Sequence, residues 1–267
     1  MAKASNMNQA RWDRLANAFE DTVCDITAVD MNHQMRRLVQ RVTLPRRGAR
    51  LVDLGCGIGT FVKEFGDSFA EIIAVDFAPH ILARAKSRQS APILEKTRWL
   101  RMDLAQAARK IGTVSDLTVC LNVITSPDEK LRDRLWTSLA SVTLPNGFAL
   151  IVVPSIESAK MVDELPVVQK TSKRRSTPAA LAAQGLLNRA GAMQKHFSRG
   201  ELARILPTYG LTPRRIARAY CPWSEEGLKK PRTSAAPYPW DWACLVQRVP
   251  ATKVAAPRKK KSAGVVR

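Results

Sequence analysis

Short apolar segments alternating with helical patterns constrain the fold of this chain more than any other feature. Five runs of five or six residues have the apolar composition of strands buried on both faces, and they span 50–54, 71–76, 97–102, 116–121 and 148–153. Helical patterns separate the runs. Two further strands are predicted at 214–220 and 242–248. This order predicts an α/β fold, a Rossmann-like, doubly wound and mostly parallel sheet with helices on both faces.

The other segments divide the chain into a central domain and three additions. Residues 1–47 are predicted to form an N-terminal helical cap, and residues 48–250 the sheet domain. Residues 155–196 break the alternation with a Lys/Arg cluster and one helical piece after Pro178. We expect an insertion over the carboxyl edge of the sheet, where open α/β sheets bind ligands. Residues 251–267, rich in Ala, Pro and Lys, are predicted to be a basic disordered tail.

Two helix starts carry local signals. In Ser126-Pro127-Asp128-Glu129 we expect Ser126 as the N-cap and Pro127 as the first helical residue, with acids in the first turn. Ser198 followed by Glu201 matches the capping-box pattern, which pairs a hydroxyl N-cap with an acid three residues later. Both signals therefore predict where a helix begins.

A glycine-rich segment, Asp53-Leu-Gly55-Cys56-Gly57-Ile-Gly59, joins the first predicted strand to a helix. Glycines at such a junction let the backbone approach a ligand closely. The spacing is G-x-G-x-G and not the G-x-G-x-x-G of dinucleotide-binding loops, because residue 60 is threonine. Asp53 would repel a pyrophosphate and would suit an ammonium or sulfonium charge. Alternatively, Asp53 fixes the loop by accepting from its amides.

Two more carboxylates follow the next strands. Asp76 ends the second strand, 21 residues after Gly55, and an acid at that place can accept both hydroxyls of a ribose. Asp103 ends the third strand and either accepts from the exocyclic amine of a base or only caps a helix. Together these residues describe a cofactor with a base, an unblocked ribose and a cationic amino-acid end, but no phosphates. S-adenosylmethionine has those parts.

Over residues 48–153 the sequence resembles the class I S-adenosylmethionine-dependent methyltransferases. The matching motifs are Asp53–Gly59, Val75-Asp76-Phe77, Arg101–Leu104, the strand 116–122 and the turn Leu144-Pro-Asn-Gly147. The resemblance implies a seven-stranded sheet whose last strand is antiparallel, with S-adenosylmethionine as cofactor. The strand-four sequence Leu-Asn-Val-Ile lacks the Asn-Pro-Pro-Tyr motif of relatives that methylate amides or adenine amines.

The resemblance also implies a cofactor site at the ends of the first four strands. The methionine part would lie over the glycine loop and the adenosine against the next two strand ends, while Cys120 to Asn122 would face the methionine part and the acceptor. Trp12 is a candidate lid residue. The expected cofactor-binding residues are Asp53, Gly55, Cys56, Gly57, Gly59, Asp76, Phe77, Asp103, Leu104, Asn122 and Trp12, with Cys56 a small spacer and not a nucleophile.

The sequence says less about the residues that would contact the methyl acceptor. A base is needed only if the acceptor must lose a proton, and His196 is the candidate because imidazole titrates near neutrality. Alternatively, His196 packs beside the Ser198 cap. Five late aromatic residues either stack on an aromatic acceptor or fill the underside of a hairpin: Tyr220, Trp223, Tyr238, Trp240 and Trp242.

The net charge and the cysteine content limit which partners and which compartment fit this chain. The chain has 43 Lys and Arg against 23 Asp and Glu, a formal charge of +20. This excess is typical of proteins that bind a polyanion such as RNA, or it is solvated surface charge. Five scattered cysteines without a C-x-x-C pair, and three histidines, argue against a metal site and favour the reducing cytoplasm. No apolar run is long enough to cross a membrane.

The favoured hypothesis is transfer of a methyl group from S-adenosylmethionine to a small-molecule acceptor by in-line displacement. An RNA-directed methyltransferase, which would use the basic surface and tail, is the main alternative. A nicotinamide-dependent oxidoreductase fits less well because of Asp53 and the missing glycine at position 60. A catalytically silent relative that keeps the fold as a binding scaffold is the fourth hypothesis.

Overall fold

A seven-stranded sheet forms the centre of the structure, a computed structural model that describes residues 25–45, 48–165, 177–189, 192–232 and 236–250. The strands of the described residues are β1 (Arg50–Leu54), β2 (Glu71–Asp76), β3 (Thr97–Arg101), β4 (Ser115–Leu121), β5 (Thr143–Pro154), β6 (Leu186–Arg189), β7 (Ala192–Lys195), β8 (Leu211–Tyr220) and β9 (Trp240–Arg248). The sheet order is β3-β2-β1-β4-β5-β9-β8, and β6 pairs with β7 in a separate hairpin. Strands β1 to β5 are parallel, and β9 runs antiparallel to both of its neighbours. The predicted fold is therefore confirmed, including the antiparallel last strand.

Helices connect the strands and lie on both faces of the sheet. The α-helices of the described residues are α1 (Ile26–Val29), α2 (Gln34–Val39), α3 (Thr60–Phe65), α4 (Pro79–Ser87), α5 (Ala91–Glu95), α6 (Ala107–Ile111), α7 (Glu129–Val142), α8 (Ile156–Asp163), α9 (Ala179–Ala183) and α10 (Arg199–Ile205). Short 3-10 turns extend some of these elements, and they span Gly66–Ser68, Leu104–Gln106, Leu206–Tyr209 and Trp223–Glu226.

The central strands are apolar throughout because both of their faces are covered. Successive residues of a strand point to opposite faces, so Leu51 packs in one core and Val52 in the other. Ile72 and Ile73 divide in the same way. This two-sided burial explains why the runs show no polar alternation, and why β1 and β2 begin and end at the predicted residues.

The parallel strands all end at one edge of the sheet. The carboxyl ends of β1, β2, β3, β4 and β5 therefore share this edge with the start of the antiparallel β9. From β1 the chain adds β2 and β3 on one side, and β4 then returns to the other side of β1. The strand order therefore reverses between β1 and β4. Open α/β sheets bind ligands at such a point.

The described part of the N-terminal segment, residues 25–45, packs against the sheet. Ile26, Met35 and Leu38 are buried in the same core as β1 and β2. Asn32 bonds through its side chain to the backbone of β8, donating to Arg218 O at 3.0 Å and accepting from Tyr220 N at 3.0 Å. The boundary of the cap at residue 47 stays a prediction, as does that of the tail at 251. The predicted helix at 9–22 and Trp12 lie outside the described residues.

The predicted insertion contains more regular structure than its sequence indicated. The helix expected after Pro178 is present as α9, and two further elements that the sequence did not predict accompany it. Helix α8 precedes α9, and the β6–β7 hairpin follows it. The hairpin is tied to the domain by Lys195 N, which donates to Thr125 O at 2.8 Å, and by Arg189, which makes a two-pronged ion pair with Asp163 of α8.

The start of α7 corrects a second expectation. Asp128, not Ser126, is the N-cap, and its carboxylate accepts from Lys130 N at 2.9 Å. Pro127 therefore precedes the cap and is not the first helical residue, since the helix begins at Glu129. At the start of α10, Ser198 caps the helix as predicted. The Glu201 carboxylate accepts from the ammonium group of Lys195, which ends β7.

Candidate functional site

A large cleft opens at the carboxyl edge of the sheet, with a volume of about 1490 Å³. Its floor is formed by residues at the ends of the parallel strands and at the start of β9. The N-terminal segment borders one end through Asp25, and the β6–β7 hairpin borders the other through Asn188 and Met193. Described residues of the predicted insertion thus line the cleft at this edge.

The glycine loop turns tightly from β1 into α3. Gly55 N and Cys56 N both donate to Val75 O, at 2.8 and 2.9 Å, so the loop is held against β2. Gly55 has a φ of +79°, and a Cβ at this position would lie 2.4 Å from the side chain of Val123. Only glycine fits here, because both the backbone conformation and the space exclude a side chain.

The remaining loop residues have different roles. Gly57 lines the cleft and donates its N–H to Asp76 Oδ2 at 3.2 Å. Gly59 is the N-cap of α3, and a Cβ there would lie 3.3 Å from Ala85 of α4. Glycine at this position therefore lets the start of α3 lie close to α4. Cys56 is buried, and burial together with the nearby carboxylates raises the pKa of its thiol well above the ordinary value. A neutral thiol is a poor nucleophile, which agrees with the spacer interpretation.

Asp53 is buried under the cleft without compensation. It is 2% exposed, and its Oδ2 has no hydrogen-bond partner among the described residues. Burial, with added repulsion from Asp76 and Asp25, raises the pKa of Asp53 to about 8. The amides of Gly55 and Cys56 donate to Val75 O and that of Gly57 donates to Asp76, so these three amides give no support to the alternative that Asp53 anchors the loop. A buried carboxylate of this kind gains most from a cationic partner.

Asp76 and Phe77 lie at the end of β2 and line the cleft. The Asp76 carboxylate accepts from Gly57 N on one oxygen and from Ala78 N at 3.0 Å on the other. These two bonds fix its orientation. A carboxylate oxygen can accept more than one hydrogen bond, so an acid oriented in this way is suited to a ligand hydroxyl.

Asp103 and Leu104 follow β3 and also line the cleft. The Asp103 carboxylate caps the short 3-10 turn by accepting from Ala105 N at 2.9 Å. Leu104 is buried, and its carbonyl accepts from Ser138 Oγ at 2.7 Å. The capping role is therefore present, and the side chain remains exposed and free in space to meet a ligand as well.

Asn122 ends β4 in a left-handed conformation with a φ of +54°. Its amide nitrogen donates to Asp241 Oδ2 at 2.8 Å, whereas its Oδ1 is buried and has no hydrogen-bond partner in the described part of the chain. Asp241 lies at the start of β9 and lines the cleft. Sequence reasoning missed Asp241, and the only signal available was a carboxylate between two tryptophans in a predicted strand region.

His196 lines the cleft from the segment after β7. It is 6% exposed, and burial, followed by the nearby Arg189, lowers its pKa to about 4. Its Nδ1 lies 3.4 Å from Gln194 O. The imidazole is therefore neutral near pH 7, although it stands where the sequence placed it. Trp12 lies outside the described residues.

The late aromatic residues mainly fill the core. Trp223, Trp240 and Trp242 are buried, and the rings of the last two meet edge to face at 6.2 Å. Tyr220 and Tyr238 pack against the edge of the same core. Trp240 alone of the five borders the cleft. The packing interpretation therefore describes most of them.

The cleft fits S-adenosylmethionine by its chemistry. The buried Asp53 carboxylate, whose Oδ2 has no partner among the described residues, suits the cationic amino-acid end. The oriented Asp76 carboxylate suits a ribose with two free hydroxyls. Phe77 and Leu104 provide apolar surface for a base. Among the described residues, no three His, Cys, Asp or Glu side chains are grouped to hold a metal ion. No helix in the described part of the chain is long and apolar enough to span a membrane.

Comparisons with known proteins agree with this chemistry. Residues 27–216 match the methyltransferase domain family. The chain is 29% identical over 199 residues to the ubiquinone biosynthesis O-methyltransferase of Xanthomonas axonopodis pv. citri, covering 68% of this chain and 80% of that protein.

Solved structures share the fold at low identity. A methyltransferase from Anabaena variabilis has a TM-score of 0.62 at 14% identity, covering 92% of this chain and 97% of that one. A Burkholderia thailandensis 1,6-didemethyltoxoflavin N1-methyltransferase, solved with its acceptor and S-adenosylhomocysteine, has a TM-score of 0.54 at 13% identity, covering 90% and 85%. Since the family match spans most of the chain, the protein belongs to the methyltransferase domain family and is a class I S-adenosylmethionine-dependent methyltransferase.

Proposed function

We propose that this protein transfers a methyl group to a small-molecule acceptor by in-line displacement. The charge of the cleft carries the proposal. Among the described residues, eight acidic side chains line it against three arginines. The acids are Asp25, Asp53, Asp76, Asp103, Asp128, Glu225, Glu226 and Asp241, and the arginines are Arg101, Arg134 and Arg189. Such an excess of acidic groups repels a phosphate backbone, which favours a small acceptor over RNA.

The relatives support a small acceptor. The Xanthomonas protein is named for O-methylation in ubiquinone biosynthesis, and the Burkholderia protein for N-methylation of a small heterocycle that it binds. In this chain, the β6–β7 hairpin and α8 both contribute lining residues to the cleft. Arg189 joins the two elements by binding the Asp163 carboxylate at 2.7 and 3.0 Å. Elements joined in this way would help to exclude water from a bound ligand.

We assign the residues as follows. When bound, S-adenosylmethionine supplies a methyl group activated on a positively charged sulfur. Asp53 holds the cationic end of the cofactor from below the glycine loop, and Asp76 binds the ribose hydroxyls. Phe77, Asp103 and Leu104 hold the adenine. With the leaving group already activated, the protein contributes mainly alignment and exclusion of water.

RNA remains the alternative acceptor because of the basic surface. Arg214, Arg215 and Arg218 are exposed on β8, the edge strand of the sheet. RNA bound through about six phosphates would lose affinity with salt at a log–log slope near −5. A small uncharged acceptor would show no such slope.

The test is a labelled-methyl screen of the full-length protein against separate pools of small metabolites and RNA, at 50 and 200 mM salt. We expect label in the metabolite pool with little dependence on salt. Label that appears only in RNA, with a steep loss at the higher salt, would replace the proposal with the RNA alternative. A nicotinamide cofactor that bound in place of S-adenosylhomocysteine would contradict both.

A further inference from the structure

Asp241 lines the cleft, and a hydrogen bond from Asn122 fixes the orientation of its carboxylate. It begins β9, whose start shares the cleft edge with the ends of β4 and β5. Its Oδ2 accepts from Asn122 Nδ2 at 2.8 Å, and Asn122 immediately follows β4. These two polar side chains are 119 residues apart in sequence, and they meet where β4 and β9 flank the cleft.

Among the described residues, no ion pair joins the Asp241 carboxylate to a cationic side chain. Glu226, from the 3-10 turn after β8, adds negative charge near it. The neighbouring cation on β8, Arg218, stacks on the Trp240 ring at 4.2 Å. Glu157 of α8 accepts from Trp242 Nε1 at 3.0 Å. On β5, the residue opposite Asp241 is the neutral Pro154.

We propose that Asp241 is the proton acceptor for a hydroxyl-bearing methyl acceptor, with Asn122 as the residue that positions it. This inference rests on the proposed function. The acceptor O–H bond breaks and its proton passes to the Asp241 carboxylate. The electron pair left on oxygen forms the bond to the methyl carbon, while the pair of the breaking carbon–sulfur bond goes to sulfur and neutralises its charge.

Asp241 suits this role better than His196. Burial raises the pKa of Asp241 to about 6, with a smaller contribution from Glu226 and an opposing one from the Asn122 hydrogen bond. A carboxylate with a raised pKa is a stronger base and is still ionised at neutral pH. His196, whose pKa is lowered to about 4, is a weaker base.

The first experiment compares Asp241→Asn with the wild-type protein, using catechol as the hydroxyl acceptor. We expect kcat to fall by about 100-fold or more, the usual contribution of a general base. The affinity for S-adenosylhomocysteine should stay within about twofold. Wild-type kcat should rise about tenfold per pH unit up to pH 6 and then level off, and this limb should vanish in the variant. Asp241→Glu should recover part of the rate.

Asp133→Asn is the matched control. Asp133 accepts from the Tyr209 hydroxyl at 2.8 Å outside the cleft, so the same chemical change should leave kcat unchanged. Equal losses in both variants would indicate a general effect on folding and would overturn the inference.

The second experiment needs no acceptor. Carboxyl ¹³C NMR of the S-adenosylhomocysteine complex should show one titration near pH 6 that is missing in Asp241→Asn. Asn122→Ala should shift that titration upward, because the ionised form loses a hydrogen bond.

The outcomes separate the two claims. Failure to bind S-adenosylhomocysteine would contradict the proposed function. Normal binding with no such titration would overturn the inference alone. So would a wild-type protein that does not methylate catechol, or an Asp241→Asn variant that does so at the full rate.

Discussion

Gly57 donates its backbone N–H to the carboxylate of Asp76 at 3.2 Å, which joins the glycine loop after β1 to the end of β2. The same carboxylate accepts from Ala78 N at 3.0 Å. The acid assigned to the ribose is therefore oriented by the loop assigned to the methionine part. A change in either one should affect the whole cofactor site.

Asp76→Asn should weaken binding of S-adenosylhomocysteine by about 1–3 kcal/mol, the scale of hydrogen bonds to a charged group. The amide keeps one acceptor oxygen but loses the charge. Isothermal titration calorimetry measures the change. Asp116→Asn is the control, since Asp116 also accepts a backbone amide, Arg50 N, but near the start of β4 at the opposite end of the sheet. Unchanged affinity in the Asp76 variant would refute the ribose assignment.

Gly55→Ala should destabilise the protein by two separate effects. The left-handed backbone costs about 1–2 kcal/mol for a residue with a Cβ. The clash with Val123, at 2.4 Å, adds about 1–3 kcal/mol of overpacking. Urea unfolding should show that Gly210→Ala, with a φ of +72° and open space around it, suffers only the first cost.

The Val123→Ala background isolates the clash at Gly55. In that background the cost of Gly55→Ala should fall toward the value for Gly210→Ala, because the clashing methyl groups are gone. Strict additivity of the two changes would mean that the loop moves away from Val123 and that the close approach is not a constraint.

Asp53 should make the ligand-free protein less stable as pH rises. Its folded pKa of about 8 lies above the unfolded value near 3.8, so between these values the folded state binds a proton that the unfolded state has lost. The contribution of Asp53 to the free energy of unfolding is therefore fully present below about pH 4, and it is lost as the pH rises to about 8. In urea unfolding from pH 5 to 8, Asp53→Asn should be stabilised relative to wild type most strongly at pH 8.

The same carboxyl group should couple cofactor binding to proton release. A cationic ligand favours the ionised form of Asp53, so binding near pH 7 should release up to one proton. Calorimetry in buffers with different ionisation enthalpies measures this number. Asp53→Asn should reduce it toward zero, and a release that is unchanged in the variant would place the titrating group elsewhere.

Arg189→Ala should loosen the β6–β7 hairpin without affecting the cofactor end of the cleft. The Arg189–Asp163 pair has two N–O contacts and is partly exposed, so its loss should cost about 1 kcal/mol. Hydrogen exchange of the hairpin amides should accelerate about fivefold, with S-adenosylhomocysteine affinity unchanged. Arg36→Ala, which breaks an exposed pair with Glu64, is the control and should leave hairpin exchange unaffected.

The cases where prediction from sequence failed share a physical cause. At the start of α7, Ser126 and Asp128 are both good N-caps, and the choice depends on which one meets free helix amides in the folded chain. The β6–β7 hairpin pairs strands of only four residues each, too short for a clear alternation of polar and apolar residues. Local patterns were ambiguous there, and packing decided.

The sequence by itself determined the alternating strands and helices, the glycine turn and the carboxylates at the ends of β1, β2 and β3. These features depend on residues close together in the chain, whose periodicity and turn chemistry act locally. Only the tertiary structure decided that Asp53 is buried, that His196 is buried and neutral, and that Asp241 meets Asn122. Burial and pairing depend on which distant segments pack together, and that information is not local.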